Sequence, residues 1–295
     1  MKVKFFAIFM IKPKNYRKEH LDLAMIKSID HLKNGQKVYF ASDFHLGMPN
    51  PAESLEREKK IVRWLNSIEN DAKAVFILGD IFDFWFEYKH VIPKGFTRIQ
   101  GKFAELTDKG IAVVFFTGNH DVWMFDYFTK ELNIAIYRKT QEITISGKKF
   151  LIGHGDGLGP HDKLYKLIKK IFQSKICQWL FARIHPNTGI AFARYCSKRS
   201  RLGKDQKEKF MGEKEWLFNF CKQIESNTHH DYYIFGHRHL PLDMDVSENS
   251  RYINLGEWVH HCAYAVFDGE KLELKYFDDA YKNATKTPRH EETQR

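Results

Sequence analysis

The sequence is short of cysteine, of long apolar runs and, over one stretch, of acids, and each shortage narrows what the chain can be. Its four cysteines, Cys177, Cys196, Cys221 and Cys262, are spaced for neither a thiolate zinc site nor a Cys-x-x-Cys redox pair. They read as reduced thiols of a cytoplasmic protein. No run of 18 apolar residues occurs, so no spanning helix is expected. Phe5 to Ile11 is apolar and follows a basic start, but Lys12-Pro-Lys-Asn15 stands where a small-residue cleavage site belongs, which argues against a cleaved signal. Between Lys163 and Lys214 there are only three acids against 14 lysines and arginines. That local excess of +11 exceeds the +10 of the whole chain, so the rest is close to neutral. At 295 residues one sizeable core is expected and no second one is evident. Residues 1–35 read as an extension, 36–278 as one domain with a helical insertion at about 160–214, and 279–295 as a polar tail.

What is present is one arrangement repeated five times: an apolar strand running directly into metal-compatible side chains. Val75–Leu78 ends in Gly79-Asp80-Ile-Phe-Asp83, the pattern of a buried strand closed by a turn. Lys37–Ser42 runs into Asp43-Phe-His45, Ile111–Thr117 into Gly118-Asn-His-Asp121, Phe150–Ile152 into Gly153-His-Gly-Asp156, and Tyr232–Phe235 into Gly236-His-Arg-His239. One Gly-Asp after a strand is only a turn; five such endings in order point to a site at the edge of a sheet, where open α/β sheets bind ligands. Imidazole, carboxylate and amide donors suit borderline divalent ions such as Mn, Fe(II), Zn or Co rather than a structural thiolate centre. A carboxylate serves two cations at once, which makes Asp80 a candidate bridge between ions about 3.5–4 Å apart. Asp43 and His45 are expected to alternate on an extended segment so that both face one ion, and the glycines to let backbone approach a bound phosphate. Asp121 and Asp156 read as capping or supporting residues, and Asp83 also reads as a helix cap or turn residue.

In full and in order, these motifs resemble the calcineurin-like binuclear metallophosphoesterases, with D-x-H, G-D-x-x-D, G-N-H-D, H and G-H-x-H spanning Val38 to His239. The resemblance implies two divalent ions, Mn foremost. It puts Asp43, His45 and His239 on one, Asn119, His154 and His237 on the other, and Asp80 on both. It makes His120 a non-ligand histidine that offsets charge on the phosphoryl group and protonates the leaving oxygen, with Asp83 orienting it. The implied fold is α/β: two packed mixed sheets flanked by helices.

Elsewhere the pattern predicts helices over Glu53–Ile68, Thr97–Lys109 and Glu213–Ile224. Short strands are expected at Ile134–Tyr137, Gln141–Ile145, Lys149–Ile152, Tyr252–Asn254, Cys262–Phe267 and Lys271–Tyr276, with a turn at Ser146-Gly147 and a type I′ turn at Asp268-Gly269. The cluster Phe82, Phe84, Trp85 and Phe86 reads as core, or as the wall of an apolar substrate groove.

In the basic insertion Leu164, Leu167, Ile168, Ile171, Phe172, Ile176, Trp179 and Leu180 recur at helical spacing. One amphipathic helix fits, and three roles stand open for it: packing on the core with a solvated basic face, docking on an anionic membrane, or binding nucleic acid. The aliphatic richness counts against the last. A phosphoesterase core with this insertion, closed by Asn254-Leu-Gly-Glu-Trp258, resembles the UDP-2,3-diacylglucosamine hydrolases. That family implies an acylated UDP-sugar substrate, UMP as product, and peripheral contact with the inner membrane from the cytoplasm. It also makes Tyr165, Ser197, Lys198 and Ser200 candidate lid contacts, with Asn119, His120 and His237 touching substrate. The match departs at position 120, where that family's best-known members carry arginine. Nothing in the sequence points to a protein partner.

Overall fold

Alternation along the strands splits the apolar residues between two faces, and that split sets the layers. The computed structural model describes residue 29 and residues 31–159, 163–202 and 209–277. Its strands are β1 (Lys37–Ala41), β2 (Ala72–Leu78), β3 (Ala112–Phe116), β4 (Ala135–Tyr137), β5 (Gln141–Ile145), β6 (Lys148–Gly153), β7 (Tyr232–Phe235), β8 (Pro241–Ser247), β9 (Ser250–Leu255), β10 (Ala263–Phe267) and β11 (Leu272–Tyr276). They form a six-stranded sheet in the order β11-β10-β1-β2-β3-β4 and a five-stranded sheet in the order β5-β6-β7-β9-β8. Both are mixed: β1 to β4 run parallel, β10 is antiparallel to β1 and β11 to β10, and the second sheet has parallel β6, β7 and β9 at its centre.

Val38 and Phe40 of β1, with Phe76, Leu78, Val114 and Phe116, meet Ile143, Phe150, Ile152, Ile234 and Ile253 in a core between the sheets. Tyr39 and Ala41, on the other face of the same strand, join Ile77, Val113 and Phe115 under helices. Those helices are α1 (Pro51–Ile68), α2 (Thr97–Asp108) and α3 (Tyr127–Leu132). A third cluster packs α7 (Trp216–Glu225) on the outside of the second sheet through Leu217, Phe218, Tyr233 and Tyr252. Two sheets between layers of helices are the expected architecture. Ile29 and Leu32, read from sequence as part of an extension, pack against the inter-sheet core; residues 1–28 and 30 of that extension, and the tail, lie outside the described residues.

The helix ends follow from local chemistry. Asn50 caps α1 by accepting from Glu53 N at 3.0 Å, with proline in the first turn. The helix α2 has no cap of its own; Glu58 from α1 accepts from Arg98 N and Ile99 N instead. Glu87 does the same for α3, accepting from Asp126 N and Tyr127 N. One expected turn is found and the other changes type. Ser146 and Gly147 both have positive φ, the type I′ signature. At Asp268-Gly269 only glycine does, and the Asp268 carboxylate accepts from Glu270 N and Lys271 N to close a longer loop.

Among the described residues the insertion is helical as expected, but the stripe read as one helix is divided between α4 (Lys163–Gln173) and α5 (Lys175–Phe181), and α6 (Pro186–Leu202) follows. Ser174 breaks the run by accepting from Cys177 N as the cap of α5. The apolar stripe is not packed on the core, which overturns that reading of it. Leu167, Ile171, Ile176, Trp179, Leu180, Phe192 and Tyr195 are all exposed, Ile176 at 74%. The lid is anchored by Phe181, which enters the aromatic cluster against Phe84, Phe86 and Trp123. Phe82, Trp85 and Phe86 are core, and Phe84 faces the lid.

Candidate metal centre

The loops that follow β1, β2 and β7 continue to hydrogen-bond one another where the ladders stop. Asp43 N donates to Gly79 O and His45 N to Asp80 O at 2.9 Å, while Gly236 N donates to His154 O. Five candidate ligands, Asp43, His45, Asp80, His237 and His239, have φ between +45° and +66°. Left-handed backbone at such residues costs about 1–3 kcal/mol each and persists where the surroundings impose it. The expected extended alternation at Asp43-Phe-His45 is therefore corrected: both flanking residues are left-handed, and Phe44 between them is fully buried in the core. The glycines have a different reason too. A Cβ on Gly118 would fall on the Asp80 carboxylate and one on Gly236 on that of Asp43, so they admit the ligands themselves rather than a phosphate.

Two groups of donors result. Asp43, His45, Asp80 and His239 bring one atom each within 4.8 Å of one another, and Asp80, His154 and His237 do likewise. Asp80 belongs to both. Within the first group His239 Nε2 lies 3.2 Å from Asp43 Oδ1 and 3.2 Å from His45 Nε2. Within the second, His154 Nε2 lies 3.4 Å from Asp80 Oδ2 and 3.3 Å from Asn119 Oδ1. All seven residues expected from sequence are thus brought together. His154 Nδ1 donates to Leu78 O at 2.7 Å, which orients the ring and aims Nε2 at Asp80.

The donors fit divalent ions. Asp43 and Asp80 are 0% and 1% exposed, and Asp43 Oδ1 accepts no hydrogen bond although it is buried. A buried carboxylate oxygen in that condition is costly unless a cation faces it. Protonated imidazole meets the need in the metal-free chain. Burial would lower the His154 pKa, but the adjacent Asp80 carboxylate, with Asp43 and Asp156, raises it to about 10. His237, buried and beside His154, is pushed down to about 4. Burial works against the Asp80 anion, yet His154, His120 and His45 hold its pKa well below the usual range.

Around this pair sit the supporting residues. His120 N donates to Asp80 Oδ1 at 2.9 Å, and its ring packs edge-on against His45. His120 Nδ1 donates to the Asp83 carbonyl oxygen at 3.0 Å, with the Asp83 carboxylate 3.6 Å away. Asp121 accepts from Gly118 N and Ile81 N, both at 2.7 Å, and so ties the loop of Asn119 to that of Asp80. Its own pKa rises to about 7 through burial and the Asp80 charge. Ser197, on α6, donates to Asp83 Oδ1 at 3.1 Å. Tyr165, on α4, donates to Asp156 Oδ2 at 2.6 Å, where Lys169 also pairs. Lys198 and Ser200 belong to α6, and their side chains lie outside the described residues.

Sequence reasoning missed Arg57, which is buried in α1 and donates to His45 O and Met48 O, pinning the first ligand loop. It also missed Glu215, fully buried and paired with Arg238 at 2.8 Å between the two histidines of the last motif. An arginine or glutamate in a helix ordinarily faces water, so neither leaves a signal in the pattern.

A two-sheet sandwich with two donor clusters sharing one carboxylate at the strand ends defines a metallophosphoesterase, and the chain belongs to the calcineurin-like phosphoesterase family, which it matches over residues 36–241. More particularly, it is 39% identical to a UDP-2,3-diacylglucosamine hydrolase of Porphyromonas gingivalis over 82% of this chain and 98% of that one. A Histophilus somni protein of the same name is 28% identical over 76% of this chain and 92% of its own. Among solved structures, Vps29 of Entamoeba histolytica complexed with zinc aligns at a TM-score of 0.38 and 13% identity, covering 82% of this chain and all of that one. Among the described residues no helix is long and apolar enough to cross a membrane.

Proposed function

We propose that the chain hydrolyses the pyrophosphate bond of UDP-2,3-diacylglucosamine, releasing UMP and 2,3-diacylglucosamine 1-phosphate for lipid A synthesis. The observation that carries this reading is the meeting of a donor pair sharing Asp80 with a lid whose apolar side chains stand exposed above it. The Porphyromonas gingivalis relative, named for this reaction, supports it. In this reading Asp43, His45 and His239 hold one ion, Asn119, His154 and His237 the other, and Asp80 both. Mn is the first choice, with Fe, Zn or Co as substitutes. Bound there, the ions supply Lewis acidity to the phosphoryl oxygens and lower the pKa of the attacking water.

The chain's own side chains do the rest. His120, held at Nδ1 by Asp83, presents its other nitrogen to the phosphoryl group and donates a proton to the leaving oxygen. Asn119 shares charge on the non-bridging oxygens. The apolar lid takes the acyl chains, which exclude water from the site, and its lysines and exposed aliphatics suit a peripheral seat on the cytoplasmic face of the inner membrane. Tyr165, Ser197, Lys198 and Ser200 contribute from the lid. The test offers the Mn-loaded protein a mixture of UDP-2,3-diacylglucosamine, UDP-GlcNAc, cyclic nucleotides and single-stranded DNA, read by mass spectrometry. UMP released from the acylated sugar alone is expected; cleavage of the others with the lipid intact would overturn the reading.

A further inference from the structure

The helix α4 is mounted the opposite way round from most amphipathic helices. Lys166, Lys169, Lys170 and Gln173, at i, i+3, i+4 and i+7, line a cavity of about 480 Å³ between α4 and the body. Its apolar residues Leu167, Ile168 and Ile171 are 41–55% exposed, while Phe172 packs edge-on against Trp123 of the body. Ordinarily the apolar face of such a helix is buried and the lysines are in water. Of the three ammonium groups, Lys169 pairs with Asp156 at 2.6 Å and Lys166 donates to Gly159 O at 2.7 Å, while the Lys170 side chain stays exposed.

The cavity adds Arg138 and Lys139 from the loop after β4, with the Thr140 hydroxyl next to them. Among the described residues, five cations line it with one carboxylate, Asp156, which already pairs with Lys169 at 2.6 Å. The far wall is His154, whose Nε2 faces Asp80 3.4 Å away. The cationic cavity and the metal centre thus share one residue as their partition. A volume of this size falls in the range of small-molecule sites.

Resting on the function proposed above, we propose that this cavity binds the nucleoside monophosphate half of the substrate. The substrate has one apolar end and one anionic end, and α4 offers one face to each. Hydrolysis turns a pyrophosphate diester into two phosphomonoesters, each carrying about −1.5 to −2 at neutral pH. The newly formed nucleotide dianion therefore needs positive charge beside the metal centre, and this cavity supplies it. Lysine, arginine and threonine donors also match a ligand made largely of acceptors: phosphate oxygens, ribose oxygens and pyrimidine carbonyls.

The test is calorimetric binding of UMP, and separately of inorganic phosphate, to the Mn-loaded full chain and its Lys139→Ala/Lys170→Ala variant. Both side chains are exposed, so folding is expected to be unaffected. UMP affinity falls at least about tenfold in the variant, on the order of 1.4 kcal/mol. Phosphate affinity, which reports the metal centre, stays within about twofold, and turnover of bis(p-nitrophenyl) phosphate is unchanged. Equal UMP affinity in both proteins, or an equal loss for UMP and phosphate, overturns the assignment. If UMP binding behaves as stated but the acylated UDP-sugar is left intact, the lipid reading falls and the nucleotide cavity stands. If the sugar is cleaved and the variant binds UMP normally, the reverse holds.

Discussion

Ser197 donates to the Asp83 carboxylate at 3.1 Å across 114 residues of chain. The lid is thereby tied to the residue whose main chain holds His120. Ser197→Ala removes a hydrogen bond to a charged acceptor, a loss of about 1.5–3 kcal/mol where the bond is closed. We expect KM for the acylated substrate to rise several-fold. Hydrolysis of a small chromogenic phosphodiester, which needs no lid, should keep its rate; parallel losses on both substrates would mean that Ser197 acts on His120 instead.

His120→Ala is expected to keep both ions and lose most of the turnover. General acid catalysis contributes about 10²–10⁴-fold, so kcat should fall in that range while metal content by elemental analysis stays at two per chain. Near-wild-type turnover would remove His120 from the mechanism.

Ile176 is 74% exposed at the start of α5, and Trp179 is 56% exposed one turn later. If they meet acyl chains, Ile176→Asp with Trp179→Asp should raise KM for the lipid substrate at least about tenfold while the melting temperature moves little, since both side chains are more than half exposed. A drop in melting temperature of more than about 5 °C, which corresponds to roughly 3 kcal/mol at this chain length, would show that the stripe is packed.

The acid limb of stability should carry the mark of Glu225. Burial raises its pKa, but His229, His230 N and Tyr233 overcome that and hold it at about 2, against 4.5 unperturbed. A depressed carboxylate stabilises the fold above its unfolded pKa and loses that contribution as pH falls through the folded one. Wild type is therefore expected to lose stability between pH 4.5 and about 2 more steeply than Glu225→Gln. Denaturant melts across that window check this; identical slopes would place the Glu225 contacts among those without net effect.

The five strand ends were legible because each joins a buried apolar run to a polar cluster with no gap, a pattern local enough to read residue by residue. Gly79, Gly118 and Gly236 were legible as tight points, but their reason was not: a Cβ would meet Gly118 and His154 at the first, Asp80 at the second and Asp43 at the third, all arriving from other strands. The lid shows the same limit. Periodicity found the amphipathic stripe, yet Ser174 capping α5 and the inward turn of Lys166 and Lys169 depend on what lies beneath them. Strand β8 was missed although Leu242, Met244 and Val246 alternate with the exposed Asp243, Asp245 and Ser247, the period of a half-buried strand. Arg57, Glu58 and Glu87 are polar residues whose partners are main-chain atoms far along the chain, which no local pattern encodes.

The account turns on Asp80 serving two ions at once. Crystals grown with Mn and measured at an energy where it scatters anomalously test this directly. Two peaks are expected about 3.5–4 Å apart, one among Asp43, His45 and His239 and the other among Asn119, His154 and His237, with Asp80 between them. A single peak, or two that do not share Asp80, would contradict it.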